Sequence, residues 1–98
     1  MKTIEKIRQK FLDKKYEFAI PHFFEEMAED DLEFQDIERV IKTGSIRRKF
    51  TRDYRGTRYE VLGRSCDERE VAIICRIKSS GKLLLITTYA LKNSFGGN

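Results

Sequence analysis

The sequence predicts an α+β domain, with helices in its first half and an antiparallel sheet of about four strands in its second. Two observations carry this prediction. Apolar residues recur at helical spacing up to Gly44 and alternate along the chain after it. Helical segments grouped before strand segments, rather than interleaved with them, are the mark of an α+β chain. At 98 residues the expectation is one domain over residues 1–98, and a chain this short buries only a thin core.

The elements follow in order. Ile4, Ile7, Phe11 and Leu12 share one face of a helix within residues 1–15, with Lys2, Lys6, Lys10 and Lys14 around the rest and Thr3 placed to cap it. A basic amphipathic helix of this kind can lie on a membrane or on nucleic acid, but more often it packs on its own domain. Tyr16 to Ile20 reads as a short extended stretch, and Pro21 suits the first turn of a helix from His22 to Ala28. Glu29, Asp30 and Asp31 end that helix by like-charge repulsion. Glu33 to Thr43 is the clearest helix: Phe34, Ile37, Val40 and Ile41 fall on one face, Asp36 sits near its positive end, and Gly44 is expected as a left-handed C-terminal cap.

Strands are expected at Ser45 to Thr51, Thr57 to Arg64, Glu70 to Lys78 and Lys82 to Leu91. Asp53 to Gly56 and Lys78 to Gly81 supply the turns, the second a hairpin with its glycine in the position only glycine adopts easily. Tyr59 and Val61 alternate against Arg58, Glu60 and Leu62, so one face of that strand is apolar and the other charged. Residues 93–98 read as a frayed tail.

Charge divides along the same line as structure. Tyr16 to Glu38 holds nine acidic residues and no Lys or Arg, whereas Arg47 to Arg64 holds seven Lys or Arg against Asp53 and Glu60. An acidic helical part and a basic sheet part suit an anionic ligand on the sheet; two solvated surfaces of opposite sign would read the same way. Cys66 and Cys75 have no partner histidine at zinc-binding spacing, Cys75 lies in an apolar run, and no stretch approaches the ~20 apolar residues of a membrane span. The expectation is a cytoplasmic protein with reduced thiols, no cofactor and no metal.

Three groups of residues bear chemistry. His22, the single histidine, stands one helical turn from Glu25 and Glu26, the spacing of a carboxylate-held general base or of a helix-end histidine tucked against the sheet. Lys49, Arg52, Arg55, Arg58 and Arg64 interleave with Phe50, Tyr54 and Tyr59: guanidinium groups grip phosphates and aromatic rings stack on unpaired bases, though exposed strands also use both for packing. Arg58-Tyr59 and Thr87-Thr88-Tyr89 place polar tips on strands, where they can preorganise a phosphoryl transition state or serve as ordinary β-formers.

Taken together, His22 with Glu26-Met27, Asp36-Ile37 ahead of Gly44, Asp53-Tyr54-Arg55-Gly56-Thr57-Arg58-Tyr59 leading to Val61-Leu62-Gly63, Val71 to Arg76, and Ile86-Thr87-Thr88-Tyr89 resemble, in order and spacing, the bacterial 4258 family of domains of unknown function. The resemblance covers about Tyr16 to Leu91, and His22, Glu26, Gly56, Arg58, Tyr59, Gly63, Thr87 and Tyr89 match the family pattern. It implies kinship with RelE-like ribonuclease toxins and a curved antiparallel sheet flanked by helices, with RNA bound on the sheet. The implied partners are RNA, including mRNA on the ribosome, and a cognate antitoxin. The implied activity is metal-independent endoribonucleolytic cleavage. His22 or Glu26 would be the base, Arg58 would stabilise the phosphorane with help from Arg55, and Tyr89 would orient or protonate. Lys49, Arg52, Arg55, Tyr59, Arg64 and Thr87 would hold RNA. A non-catalytic RNA- or protein-binding module, or an inactive relative kept for interaction, fits the same residues, so whether the chain is an enzyme stays open here.

Overall fold

The computed structural model describes residues 1–52 and 54–91, so Asp53 of the first expected turn and the tail 93–98 lie outside the described residues. Helices α1 (Thr3–Leu12), α2 (His22–Glu29) and α3 (Phe34–Thr43) precede strands β2 (Ser45–Phe50), β3 (Arg58–Arg64), β4 (Glu70–Ile77) and β5 (Leu83–Ala90). The switch at Gly44 and the four strands after it agree with the sequence reading. One strand does not. Tyr16–Phe18 forms β1, and it pairs in parallel with β5, giving a five-stranded mixed sheet in the order β1-β5-β4-β3-β2. Three residues are too short for a period-2 signal. Their pairing is held from outside the strand as well: Lys78 Nζ lies 2.8 Å and Lys82 Nζ 3.5 Å from the Glu17 carboxylate.

The helices cover one face. Ile7, Phe11, Phe23, Ile37, Val40 and Ile41 meet Val61, Val71, Ile73, Cys75, Leu83 and Leu85 there in a single buried cluster, with Tyr59 packed at its margin. Burial pushes the Cys75 thiol up to about 12, so it is an apolar core residue in practice. The other face, carrying Arg58, Glu60 and Leu62 of β3 and Ala72, Ile74 and Arg76 of β4 in register, contributes nothing to that cluster.

Two caps differ from expectation. Thr3 is the first helical residue rather than the cap; the Lys2 N–H donates to Glu5 Oε1 at 3.2 Å, so the carboxylate one turn on satisfies the open end. Gly44 has φ −79° and ψ −176°, an extended conformation open to any residue. Glycine is needed there for space: a Cβ would lie 2.6 Å from the carbonyl oxygens of both Leu62 and Val40. The chain leaves α3 at Thr43 and enters β2 at Ser45, so helix and sheet nearly touch at this point. Gly63 meets Gly44 and Val40 from the strand side, with a built Cβ 3.1 Å and 3.2 Å from their Cα atoms. Arg8 of α1 closes the corner by donating to the carbonyl oxygens of Ile41 and Gly44. The basic N-terminal helix is thus bound into the domain. At the hairpin, Gly81 takes φ 94° and its N–H donates to Lys78 O at 2.8 Å, as the turn chemistry predicts.

Gly44→Ala should therefore destabilise the fold by roughly 1–3 kcal/mol, the cost of overpacking a tight contact. Gly63→Ala, whose clash is milder, should cost less. Urea unfolding of both variants followed by circular dichroism measures the order.

Candidate nucleic-acid interface

On the uncovered face of the sheet lies a fully buried carboxylate, Glu60. It is buried by its own partners. Arg47 grips it with Nε and Nη2 at 3.0 Å each, and Arg48 with Nε at 2.8 Å and Nη2 at 3.2 Å. The Tyr89 hydroxyl donates to Glu60 Oε2. Successive residues of a regular strand point to opposite faces, so Arg47 and Arg48 could not normally reach one carboxylate. A bulge resolves this: the register runs Ile46 opposite Val61 and then Arg48 opposite Glu60, leaving Arg47 as the extra residue. Tyr89 stands opposite Ala72 on β4, and the small alanine leaves room for the ring to extend towards β3.

The electrostatics follow from this packing. Hydrogen bonds from Arg48, then Arg47 and Tyr89, outweigh burial and hold Glu60 at about 2. The same bonds to Glu60 raise both guanidinium groups above their ordinary value. Burial first, and the carboxylate beside it second, push the Tyr89 phenol up.

Beside the clamp opens a groove of about 520 Å³ lined by Lys49, Phe50, Thr51, Arg52, Tyr54 and Arg58. The guanidinium carbons of Arg48 and Arg58 lie 5.7 Å and 5.4 Å from the Phe50 ring centroid. Arg55 lies 5.5 Å from the Tyr54 ring, which is 93% exposed. Cations stacked on rings, with one ring open to solvent, suit an unpaired base flanked by phosphates.

The residues singled out in the sequence are partly gathered and partly separated. Lys49, Arg52 and Arg58 line the groove; Arg58 lies two residues along β3 from Glu60, on the same face. Thr87 donates to Glu26 of α2, and Tyr89, two residues on, reaches Glu60. Glu26, Thr87, Tyr89 and Glu60 therefore run in sequence from the α2 edge towards β2. Arg55 offers its carbonyl to Arg76 Nη1 at 3.1 Å. Tyr59 points to the helix side, into the core margin, and Arg64 sits at the far end of β3 donating to Glu68 O at 3.0 Å. His22 is exposed at the start of α2 and makes no side-chain hydrogen bond among the described residues.

The family described as a domain of unknown function (DUF4258) matches residues 21–90 of this sequence. The chain belongs to that family. No curated protein matches it, and no solved structure does. The DUF4258 match spans α2 to the end of β5 and so contains the whole clamp and groove, while α1 and β1 precede it. Arg47, Arg48 and Glu60 were not singled out by sequence reasoning. The signal was present as an Arg-Arg pair in a strand, which needs a bulge to share a face, and as a lone acid on the charged side of β3.

Glu60 makes the stability of the fold depend on acid pH. Its folded value, near 2, lies below the ordinary carboxylate value of 4.5, so its contribution is present at neutral pH and is lost as pH falls from about 4.5 towards 2. The shift corresponds to about 3 kcal/mol. Glu60→Gln should lower stability at pH 7 by about that amount and flatten the dependence over this window. Thermal unfolding of both proteins from pH 7 to pH 2.5 measures it.

Proposed function

We propose that this DUF4258 chain acts on RNA, binding a single strand across the uncovered face of the sheet and cleaving it without a metal ion, as the toxin half of a bacterial toxin–antitoxin pair. The observation that carries the reading is the grouping of Arg47, Arg48 and Arg58 with the Tyr89 hydroxyl and the Phe50 and Tyr54 rings on one face that no helix covers among the described residues. Phosphates meet preorganised guanidinium groups, and bases meet open rings.

In the cleavage step the RNA 2′-oxygen attacks the adjacent phosphorus and the bond to the 5′-oxygen breaks, leaving a 2′,3′-cyclic phosphate and a 5′-hydroxyl. Arg58 is the candidate to stabilise the added negative charge, because a strand-borne cation needs no reorganisation. Tyr89 keeps its proton at neutral pH and is the candidate donor to the leaving oxygen, although burial and Glu60 make its phenol a weaker acid than a free tyrosine. Glu60, held at about 2, is too weak a base to take the 2′-hydroxyl proton. That role falls to Glu26, tied to the face through Thr87, or to His22. The second reading, a non-catalytic RNA-binding module, draws on the occupation of both arginine forks by Glu60 and on the position of His22, outside the clamp's hydrogen bonds. The toxin reading also expects an antitoxin that shields the basic face.

Single-turnover cleavage of a short RNA in EDTA, with and without ribosomes, tests the reading. Arg58→Ala should slow cleavage on the order of a hundredfold, and more than His22→Ala does. Salt-sensitive binding with no cleavage would select the non-catalytic module, and no binding at all would overturn both.

A further inference from the structure

A second uncovered surface lies at the β1 end of the sheet, the edge away from the arginine clamp. It is aromatic. The rings of Phe11 and Tyr16 stack at 4.6 Å, Phe34 lies 5.9 Å from Phe11, and Phe18 joins Phe34 at 6.4 Å to Phe24 at 4.9 Å. Phe24 and Phe34 remain 45% and 42% exposed, and Leu12 beside them 54%. Single exposed apolar residues are ordinary; here two exposed rings, Phe24 and Phe34, are joined through the half-buried Phe18, with Tyr16 and the buried Phe11 beneath, and such a patch marks an interaction surface.

The backbone beside it is open as well. Leu83 N–H donates to Lys15 O, and Ala19 N–H to Leu85 O. In a parallel pair alternate residues face the neighbour, so the N–H and C=O groups of Tyr16 and Phe18 point away from β5. β1 is an edge strand, and nothing among the described residues pairs with its outer side. Such an edge next to apolar side chains is the geometry of strand addition.

Charge identifies the occupant. β1, α2 and the first half of α3 lie within Tyr16 to Glu38, which has nine acids and no Lys or Arg, although Glu17 of β1 is already paired with Lys78 and Lys82. Glu33 adjoins Phe34, and Glu38 lines with it a hollow of about 290 Å³, where Lys14 is the one bordering cation among the described residues. RNA would be repelled, and a second copy would set the same acids against themselves. We propose that this edge takes an extended segment of another protein, alternating apolar and basic residues, as a sixth strand beside β1. The surface is separate from the RNA face and does not rest on the reading of that face.

The test uses a fluorescein-labelled nonapeptide of alternating Lys and Val, with Glu-Val and Lys-Ser peptides as controls, in fluorescence polarisation against the full chain. The Lys-Val peptide should bind and both controls should bind at least tenfold more weakly. Phe24→Ser with Phe34→Ser should weaken it at least tenfold, and Glu33→Lys with Glu38→Lys should transfer preference to the Glu-Val peptide. In the wild type, peptide should slow amide hydrogen exchange at Tyr16 and Phe18. Equal binding of the Glu-Val peptide, unchanged exchange at those two amides, or a dimer in light scattering that the double serine variant dissolves would overturn the proposal.

Discussion

A negative charge removed from water, on the sheet face opposite the helix-covered core, is the constraint around which the sheet is built. An isolated buried carboxylate is costly, and even a paired one is favourable only when its oxygens are fully hydrogen-bonded. Glu60 meets that demand with two bidentate arginines and a phenol. Meeting it requires the bulge at Arg47, because a regular strand would send one of the two guanidinium groups into the helix side. It also requires Tyr89 to lean over β4, which the small Ala72 permits. The side chains on this face are thereby fixed in place, and the outward N–H groups of both arginines are presented to solvent on rigid strands. Preorganised donors of this kind bind anions with less loss of side-chain entropy than flexible lysines do.

The helix side serves the same geometry by holding β3 in position. Val40 of α3 and Gly63 of β3 meet at a contact that leaves no room for a side chain at Gly44 and little at Gly63. Asp36 ties α3 to the loop after β3 by accepting from Cys66 N–H at 2.8 Å, and Arg39 donates to Ser65 O at 2.7 Å. At the far end, Arg69 donates to the carbonyl oxygens of Asp30 and Asp31, and Asp30 accepts from Ala90 N–H. That last bond explains how α2 continues the sheet where β1 stops: β1 pairs only with Leu83 to Leu85, and beyond it an α2-end carboxylate satisfies the β5 edge.

Much of the fold was legible because periodicity reports burial. The alternation of Tyr59 and Val61 against Arg58, Glu60 and Leu62 located both faces of β3, and Cys75 lies in the core as its apolar run indicated. Two things were hidden. β1 is too short to show a period, and its parallel pairing depends on Leu83 and Leu85, distant in sequence. The clamp was hidden because a bulge breaks the alternation that sequence reading relies on, so Arg47 and Arg48 looked as if they belonged to opposite faces. Tyr59 illustrates the converse: its type suggested base stacking, yet its parity places it on the helix side. Chemistry pointed to residue types, and strand parity decided which of them share a surface.

If RNA binds on the face organised by Glu60, the arginine side chains there must register it. The most direct measurement is an NMR titration of the 15N-labelled chain with a short single-stranded RNA, following backbone amides and arginine Nε–H signals together. Shifts are expected at the Arg47, Arg48 and Arg58 side chains and along Phe50, Tyr54 and Tyr89, with α3 and the core strands' helix side undisturbed. Shifts confined to α1 or α2, or none at RNA concentrations that saturate other single-strand binders, would contradict it.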